Sequence, residues 1–297
     1  MIEPAFKAGY AAIVGRPNVG KSTLLNNLLD FKVAAVTQKA QTTRHQIRGI
    51  LNGEHYQVIF LDTPGLMKPK YRLQEAMVHA ARRSLTDADL VLFLVEAHSR
   101  PLDSDLEILD EILNLNRKVI VIVNKVDAVA KNQVLPLIEH YAAYEKISTI
   151  IPISALKSDG LDILENEIVA LLPEGQPLYP PDQLTDHPQR FIVSEIIREK
   201  IFQRFGDEIP YAATVTIEEF KERGDRKDFI RAVIYVEKAS QKGILIGRHG
   251  ASLKKVGQLA RQDIESLLDR KVFLELWVKV KEKWRKDEKV LKEFGYL

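Results

Sequence analysis

Gly15-Arg16-Pro17-Asn18-Val19-Gly20-Lys21-Ser22 decides the fold of the first half of this 297-residue chain. The spacing G-x-x-x-x-G-K-S is that of a phosphate-cradling P-loop. An apolar run, Tyr10 to Val14, precedes it. A helical pattern follows, with Leu24, Leu25, Leu28 and Leu29 on one face. The stretch therefore joins a buried strand to a helix N-terminus, where backbone N–H groups and the helix dipole favour an anion. Gly15 through Thr23 is the expected phosphate-contacting stretch. Lys21 is placed to neutralise the β and γ phosphates, and Ser22 to offer its hydroxyl to Mg²⁺. A glycine-rich turn that matches by chance is the bland alternative, and the flanking strand and helix weigh against it.

Working outward, Asp62-Thr63-Pro64-Gly65 closes a second buried run, Tyr56–Asp62. A carboxylate there can hold Mg²⁺ through water, and the Gly65 N–H can meet a γ phosphate. Asn124-Lys125-Val126-Asp127 closes a third, and here the chemistry selects the base. The Asp127 carboxylate can accept from guanine N1–H and the exocyclic amine together, a donor pair adenine lacks. The Lys125 stem can lie along the base. Ser154-Ala155-Leu156 follows the next run, with the Ala155 N–H expected to reach the guanine carbonyl. Gln41-Thr42-Thr43-Arg44 lies between the P-loop and Asp62. A Thr here can complete the Mg²⁺ shell, Thr43 being preferred and Thr42 the alternative. Lys21, Asn18, Thr43 and Gly65 are the candidate catalytic groups.

Composition narrows the classes further. The chain has no cysteine, which excludes disulfides and thiolate metal sites. No apolar run nears the length of a membrane span, and the N-terminus lacks the apolar core of a signal peptide. Charge is nearly balanced at +2, but residues 181–297 carry 24 basic and 20 acidic side chains, a mild bias that permits a nucleic-acid partner.

Five strand-like runs alternate with helical patterns through residue 172, which predicts a doubly wound α/β domain. Gln46–Leu51 is expected to pair antiparallel with Tyr56–Asp62. Residues 173–190 hold five of the thirteen prolines and read as a semi-rigid linker. The expected division is 1–175, a linker over 176–189, and 190–297. The last part reads α-β-β-α-α-β with a charged helical tail. Within it lies Gly243-Ile244-Leu245-Ile246-Gly247-Arg248-His249-Gly250, a G-x-x-G between helices, with Lys254 and Lys255 just after. Such glycines let a nucleic-acid backbone approach, Arg248 is a phosphate partner, and Ile244, Leu245 and Ile246 are expected to line the groove for bases. Trp277 and Trp284 are candidates for stacking on a base or for packing.

The motifs GRPNVGKS, QTTRH, DTPG, NKVD and SAL, in that order, resemble the P-loop GTPases. The later order resembles the type II KH fold, a smaller α+β domain that grips single-stranded RNA. Together with PQRFIVSEIIREKI, IPYAATV and FLELWVKVK, the whole chain resembles the bacterial Era GTPase family. That resemblance implies GTP/GDP and Mg²⁺ as ligands. It implies binding to the 3′ end of 16S rRNA and a role in maturation of the 30S small ribosomal subunit. It also implies a cytoplasmic monomer that associates peripherally with the inner membrane. One departure stands out. Ras-like members carry a Gln after DxxG, and this chain has Leu66, so slow intrinsic hydrolysis is expected. In related GTPases an Asn at the position of Asn18 helps bind K⁺, which implies K⁺ stimulation here. A signalling GTPase whose C-terminal domain binds protein or membrane is the rival class.

Overall fold

The computed structural model describes residues 5–98, 100–206, 208–224 and 226–297. The chain forms two compact units. The first comprises Met1–Ala34, Thr43–Pro69 and Met77–Asp186; the second comprises Ala35–Thr42, Lys70–Ala76 and His187–Leu297.

In the first unit, β1 (Lys7–Val14) leads through the P-loop into α1 (Lys21–Leu28). Then come β2 (Ile47–Asn52), β3 (Tyr56–Asp62), α2 (Arg72–Asp87, whose first turn belongs to the second unit), β4 (Leu90–Glu96) and α3 (Asp103–Leu113). β5 (Lys118–Asn124), α4 (Lys131–Ala142), β6 (Ile147–Pro152) and α5 (Leu161–Leu171) complete it. The sheet order is β2-β3-β1-β4-β5-β6. All neighbours are parallel except β2 and β3, which pair antiparallel with Ile47 opposite Asp62. The central strands β4 and β5 are apolar and buried except at their ends, as strands covered on both faces must be. β1 lies between β3 and β4, so strand order reverses there. Its C-terminal end opens a crevice at the switch point, where α/β sheets bind ligands.

The proline-rich stretch is not a free linker. Glu174 bridges Lys7, and Gly175 N–H donates to the Phe6 carbonyl. Buried Gln57 accepts from Leu178 and Tyr179 N–H and donates to the Tyr179 carbonyl. Ile50 N–H donates to Leu184 O, and Thr185 Oγ1 to Arg48 O. Prolines remove donors but leave carbonyls, and the sheet's edge supplies the missing partners. The first compact unit therefore runs on to Asp186, past the expected end near 175.

The second unit holds α6 (Gln189–Arg204), α7 (Ile209–Ala212), β7 (Thr214–Lys221), β8 (Asp228–Val236), α8 (Ala239–Ile246), α9 (Ala251–Leu268), β9 (Val272–Val280) and α10 (Glu288–Glu293). β7 and β8 pair antiparallel, and β8 and β9 parallel. Ile192, Ile196, Ile197 and Ile201 of α6 enter one core with Val256, Ala260 and Ile264 of α9. The short helix α7 has no counterpart in the expected element order. Trp284 is fully buried, and its Nε1–H donates to the Ala212 carbonyl at 2.8 Å. It is a packing residue and not a base-stacking one.

The charged face of α6 is buried too. Arg198 Nε donates to Glu195 Oε1 at 2.8 Å, and Lys200 bridges Glu199 at 3.0 Å and Asp263 at 2.6 Å. The Ala35–Thr42 segment belongs to this packing. Val36 N–H donates to Glu199 Oε2 at 3.0 Å, and Lys39 Nζ donates to Phe202 O at 2.6 Å and to Phe205 O. An ammonium on the last carbonyls of α6 sits where the helix dipole favours a cation. In the same unit Arg285 lies over the Tyr71 ring, and Arg72 pairs with Glu288 at 3.1 Å.

Candidate nucleotide site and nucleic-acid interface

The P-loop, the ends of β3 and β5, and the turn after β6 meet at the switch point. Lys21 is buried, and its Nζ donates to Arg16 O at 2.9 Å and Gly15 O at 3.2 Å. Burial lowers its pKa to about 8, Asp62 opposing the shift. One ammonium hydrogen remains for a phosphate, whose negative charge would restore what burial removes. Ser22 Oγ donates to Asp62 Oδ2 at 2.7 Å and lies 2.8 Å from Thr43 Oγ1. Asp62 Oδ1 is buried without a partner. Burial raises this carboxyl to about 6, with Lys21 and its hydrogen bonds opposing. Three hard oxygens and one orphaned buried acceptor fit Mg²⁺, which takes oxygen ligands and keeps several waters. Thr42 is directed elsewhere: its Oγ1 meets Thr37 Oγ1 and donates to the Lys39 carbonyl at 2.7 Å. Gly65 packs so closely that a Cβ would lie 2.6 Å from Pro17 N. Leu66 N–H donates to Gly15 O, and its side chain is in the core beside Val14 and Phe93, away from any water it could orient.

At the base end, Asn124 ties three motifs together. Its Nδ2 donates to Val19 O at 2.7 Å, and its Oδ1 accepts the Ala155 N–H at 2.9 Å. The Ala155 N–H, the expected donor to a guanine carbonyl, is here given to Asn124. The cause is the short fully buried path between the two loops, where neither polar group has water to turn to. Ser154 Oγ donates to Asp127 Oδ1 at 2.6 Å and lowers the pKa of that carboxyl, keeping it an acceptor. Lys125, at φ +65°, pairs with Glu96 at 3.1 Å. Asn18 bends the loop at φ +67°, Thr23 follows Ser22 in α1, and Leu156 is exposed. The Arg16–Asp105 pair and Asn124's bridging role were not read from the sequence. Asp105 lies 89 residues from Arg16 in an ordinary helical pattern.

In the second unit, α8 ends at Gly247, where φ is +73° and a Cβ would lie 2.5 Å from Ser252 Oγ. Arg248–Gly250 forms a tight turn into α9, with His249 at φ +49°. Arg248, His249, Lys254 and Lys255 are exposed, and Gly243 is exposed on α8. Ile244 is 56% exposed and Ile246 half-buried, but Leu245 is 0% exposed within the core. Leu245 cannot line a groove. Successive helical residues point about 100° apart, so a run of three cannot share one face. Trp277 stays 54% exposed on the outer face of β9.

A P-loop crevice with the N-K-x-D loop at its edge, followed by a fold with G-x-x-G between helices, defines a P-loop GTPase carrying a KH domain. Family comparison agrees: residues 10–125 match the model described as 50S ribosome-binding GTPase, and residues 208–285 match the KH domain. GTPase Era of Ruminiclostridium cellulolyticum is 46% identical over 292 residues, 98% of each chain. GTPase Era of Geotalea uraniireducens is 47% identical over the full length of both. The chain belongs to the Era GTPase family. Among solved structures, a variant of Aquifex aeolicus Era bound to GDP and aluminium fluoride superposes with a TM-score of 0.95. It is 44% identical over 98% of this chain and 99% of that one. Era in complex with MgGDPNP and nucleotides 1506–1542 of 16S ribosomal RNA superposes with a TM-score of 0.94, at the same identity and coverage. The chain is accordingly a GTP hydrolase.

Proposed function

We propose that this GTPase binds the 3′ end of 16S rRNA through its KH domain and acts in 30S subunit maturation, its grip on RNA set by the bound nucleotide. The observation that carries the nucleotide half is the cluster of half-buried Ser22 with buried Thr43 and the buried Asp62 carboxylate, whose charge Lys21 feels. Ser22 and Thr43 would hold Mg²⁺ directly and Asp62 through water; the ion supplies positive charge to the phosphate oxygens. Lys21 adds a cation beside them, and the Gly65 N–H is the candidate donor to the γ phosphate. Asp127 selects guanine. With Leu66 in the core, no side chain after DxxG orients water, and slow intrinsic turnover follows. Asn18 offers an amide oxygen, a donor suited to K⁺; equal turnover in Na⁺ and K⁺ buffers would count against that role.

The RNA half rests on the exposed Arg248 and lysines around a turn that only glycine can open. Ala35–Thr42 ends just before Thr43, and Lys70–Ala76 begins shortly after Gly65, and both segments belong to the second compact unit. Loops that sense the γ phosphate are thus continuous with the RNA-binding unit, which supports coupling through them and not through residues 173–190. The test is binding of a 16S 3′-end oligomer with GDP and with a non-hydrolysable GTP analogue. Different affinities support the coupling and equal affinities sink it. Arg248→Asp is expected to lower RNA affinity about tenfold and leave GTP turnover unchanged. No binding of the oligomer by wild type, or binding that Arg248→Asp leaves unchanged, would favour the signalling alternative. Peripheral membrane association is part of the same proposal; no helix among the described residues is long and apolar enough to cross a membrane.

A further inference from the structure

Arg16 occupies the first variable position of the P-loop, and only its backbone has a role in cradling phosphate. Its side chain has a defined partner. Arg16 Nε donates to Asp105 Oδ1 at 2.6 Å. Asp105 sits in the first turn of α3 and is 2% exposed. A carboxylate that deep is costly unless a cation meets it. Behind the pair stands Tyr141 of α4, fully buried, its hydroxyl without a partner, as is Arg16 Nη2. Burial, then the Asp105 charge, raises the pKa of this hydroxyl, and Arg16 opposes them, so the three groups share one low-dielectric pocket. With Asp105 2% and the Arg16 side chain 21% exposed, the burial strengthens the ion pair and limits the water that competes with it.

The same residue faces the reaction through its other end. The Arg16 carbonyl is the closer of the two that hold Lys21 Nζ, at 2.9 Å against 3.2 Å for Gly15. A side chain anchored to α3 fixes the peptide it hangs from, and that peptide aims the ammonium. We propose that Asp105 is a positioning residue for nucleotide binding: through Arg16 it sets the P-loop peptide that holds Lys21 in place. The inference concerns phosphate binding and rests on the GTPase reading, not on the RNA one.

The experiment uses the full chain and compares Asp105→Ala, Arg16→Ala and the double variant. The readouts are affinity for a fluorescent GDP, steady-state kcat and KM for GTP, and Tm. Each single variant is expected to weaken GDP binding and raise KM about tenfold, with kcat changed less than about threefold. The double variant should be no worse than either single, because both remove one linkage. Asp105→Asn keeps an acceptor of the same shape and should lose only about three- to fivefold. It also serves if the alanine variant does not fold. A merely structural role predicts otherwise: kcat per chain falls with the folded fraction, while KM and GDP affinity of the folded protein stay within about twofold. That result, or singles whose losses multiply in the double variant, overturns the proposal. If wild type itself neither binds GDP nor turns over GTP while RNA binding persists, the GTPase reading itself fails.

Discussion

The nucleotide crevice and the G-x-x-G turn solve the problem of holding a phosphate in opposite ways. In the crevice the polar groups are buried or half-buried and already engaged: Lys21 on two carbonyls, Ser22 on Asp62, Asn124 on Val19 and Ala155. At the turn, Arg248, Lys254 and Lys255 stand in solvent, and the ordered feature is the backbone of Gly247. The first arrangement is preorganised and stores electrostatic cost, since Lys21 and Asp62 are both shifted toward their neutral forms by burial. The second stores little and pays on binding, when RNA must be desolvated and ordered. High affinity for a small ligand needs the first, because few contacts must carry it. A long, flexible partner is served by the second, where many weak contacts add.

The comparison is broken most severely at Asp127. If the crevice is preorganised for guanine, Asp127→Asn should cost about a hundredfold or more in GTP affinity, since two charge-assisted hydrogen bonds of roughly 1.5–3 kcal/mol are lost or weakened. Xanthosine nucleotides should be regained, because an amide N–H can donate to the xanthine 2-carbonyl while its oxygen accepts N1–H. Competition binding with GTP, XTP and ATP measures this. An unchanged ranking would mean that Asp127 does not read the base.

The next test concerns stored cost. Burial holds Asp62 near 6 in place of its ordinary 3.8. Between those values the native chain keeps a proton that the unfolded chain releases. Stability of metal- and nucleotide-free protein therefore falls as pH rises through that window, and the penalty is complete above it. Asp62→Asn removes the titration. It should be more stable than wild type by about 2 kcal/mol at pH 7.5, converging toward pH 4.5, although it loses Mg²⁺. Urea unfolding at both pH values decides. A gap of the same size at both would show that the carboxylate carries no such cost.

These contrasts also explain what the sequence could reveal. The P-loop, Asp62 and Asp127 were legible because phosphate, Mg²⁺ and guanine each demand a particular residue type at a strand end. The antiparallel β2–β3 pair was legible from the short turn signal Asn52-Gly53 between the two runs. Partners far apart in sequence were not. Arg16 and Asp105 meet only because α3 docks beside the P-loop. No motif marks Glu195, Arg198, Glu199 and Lys200, yet all four are buried. The chain that covers Glu199, Val36, comes from 163 residues away. Gln57, buried mid-strand, turned a proline-rich stretch from a tether into part of the first unit. Trp277 on β9 and Trp284 just beyond it carry the same side chain, and the Ala212 carbonyl with the Phe294 and Tyr296 rings holds the second one in the core.

The smallest effect probes the open side of the comparison. Ile244 and Leu245 are adjacent and chemically alike, but helix geometry sends Leu245 into the core and leaves Ile244 in solvent beside the turn. A large exposed aliphatic side chain contributes nothing to folding where it stands, so its removal should leave Tm unchanged. If bases lie along α8, Ile244→Ala should still weaken the 16S 3′-end oligomer about three- to fivefold, the loss expected when a few methyl and methylene groups are partly covered. The loss should persist at higher salt, because apolar contact is not screened, whereas the Arg248 contribution should shrink. A salt titration of both variants separates the terms. If Ile244→Ala binds as wild type does at every salt concentration, the turn grips the RNA backbone alone, and the bases lie elsewhere.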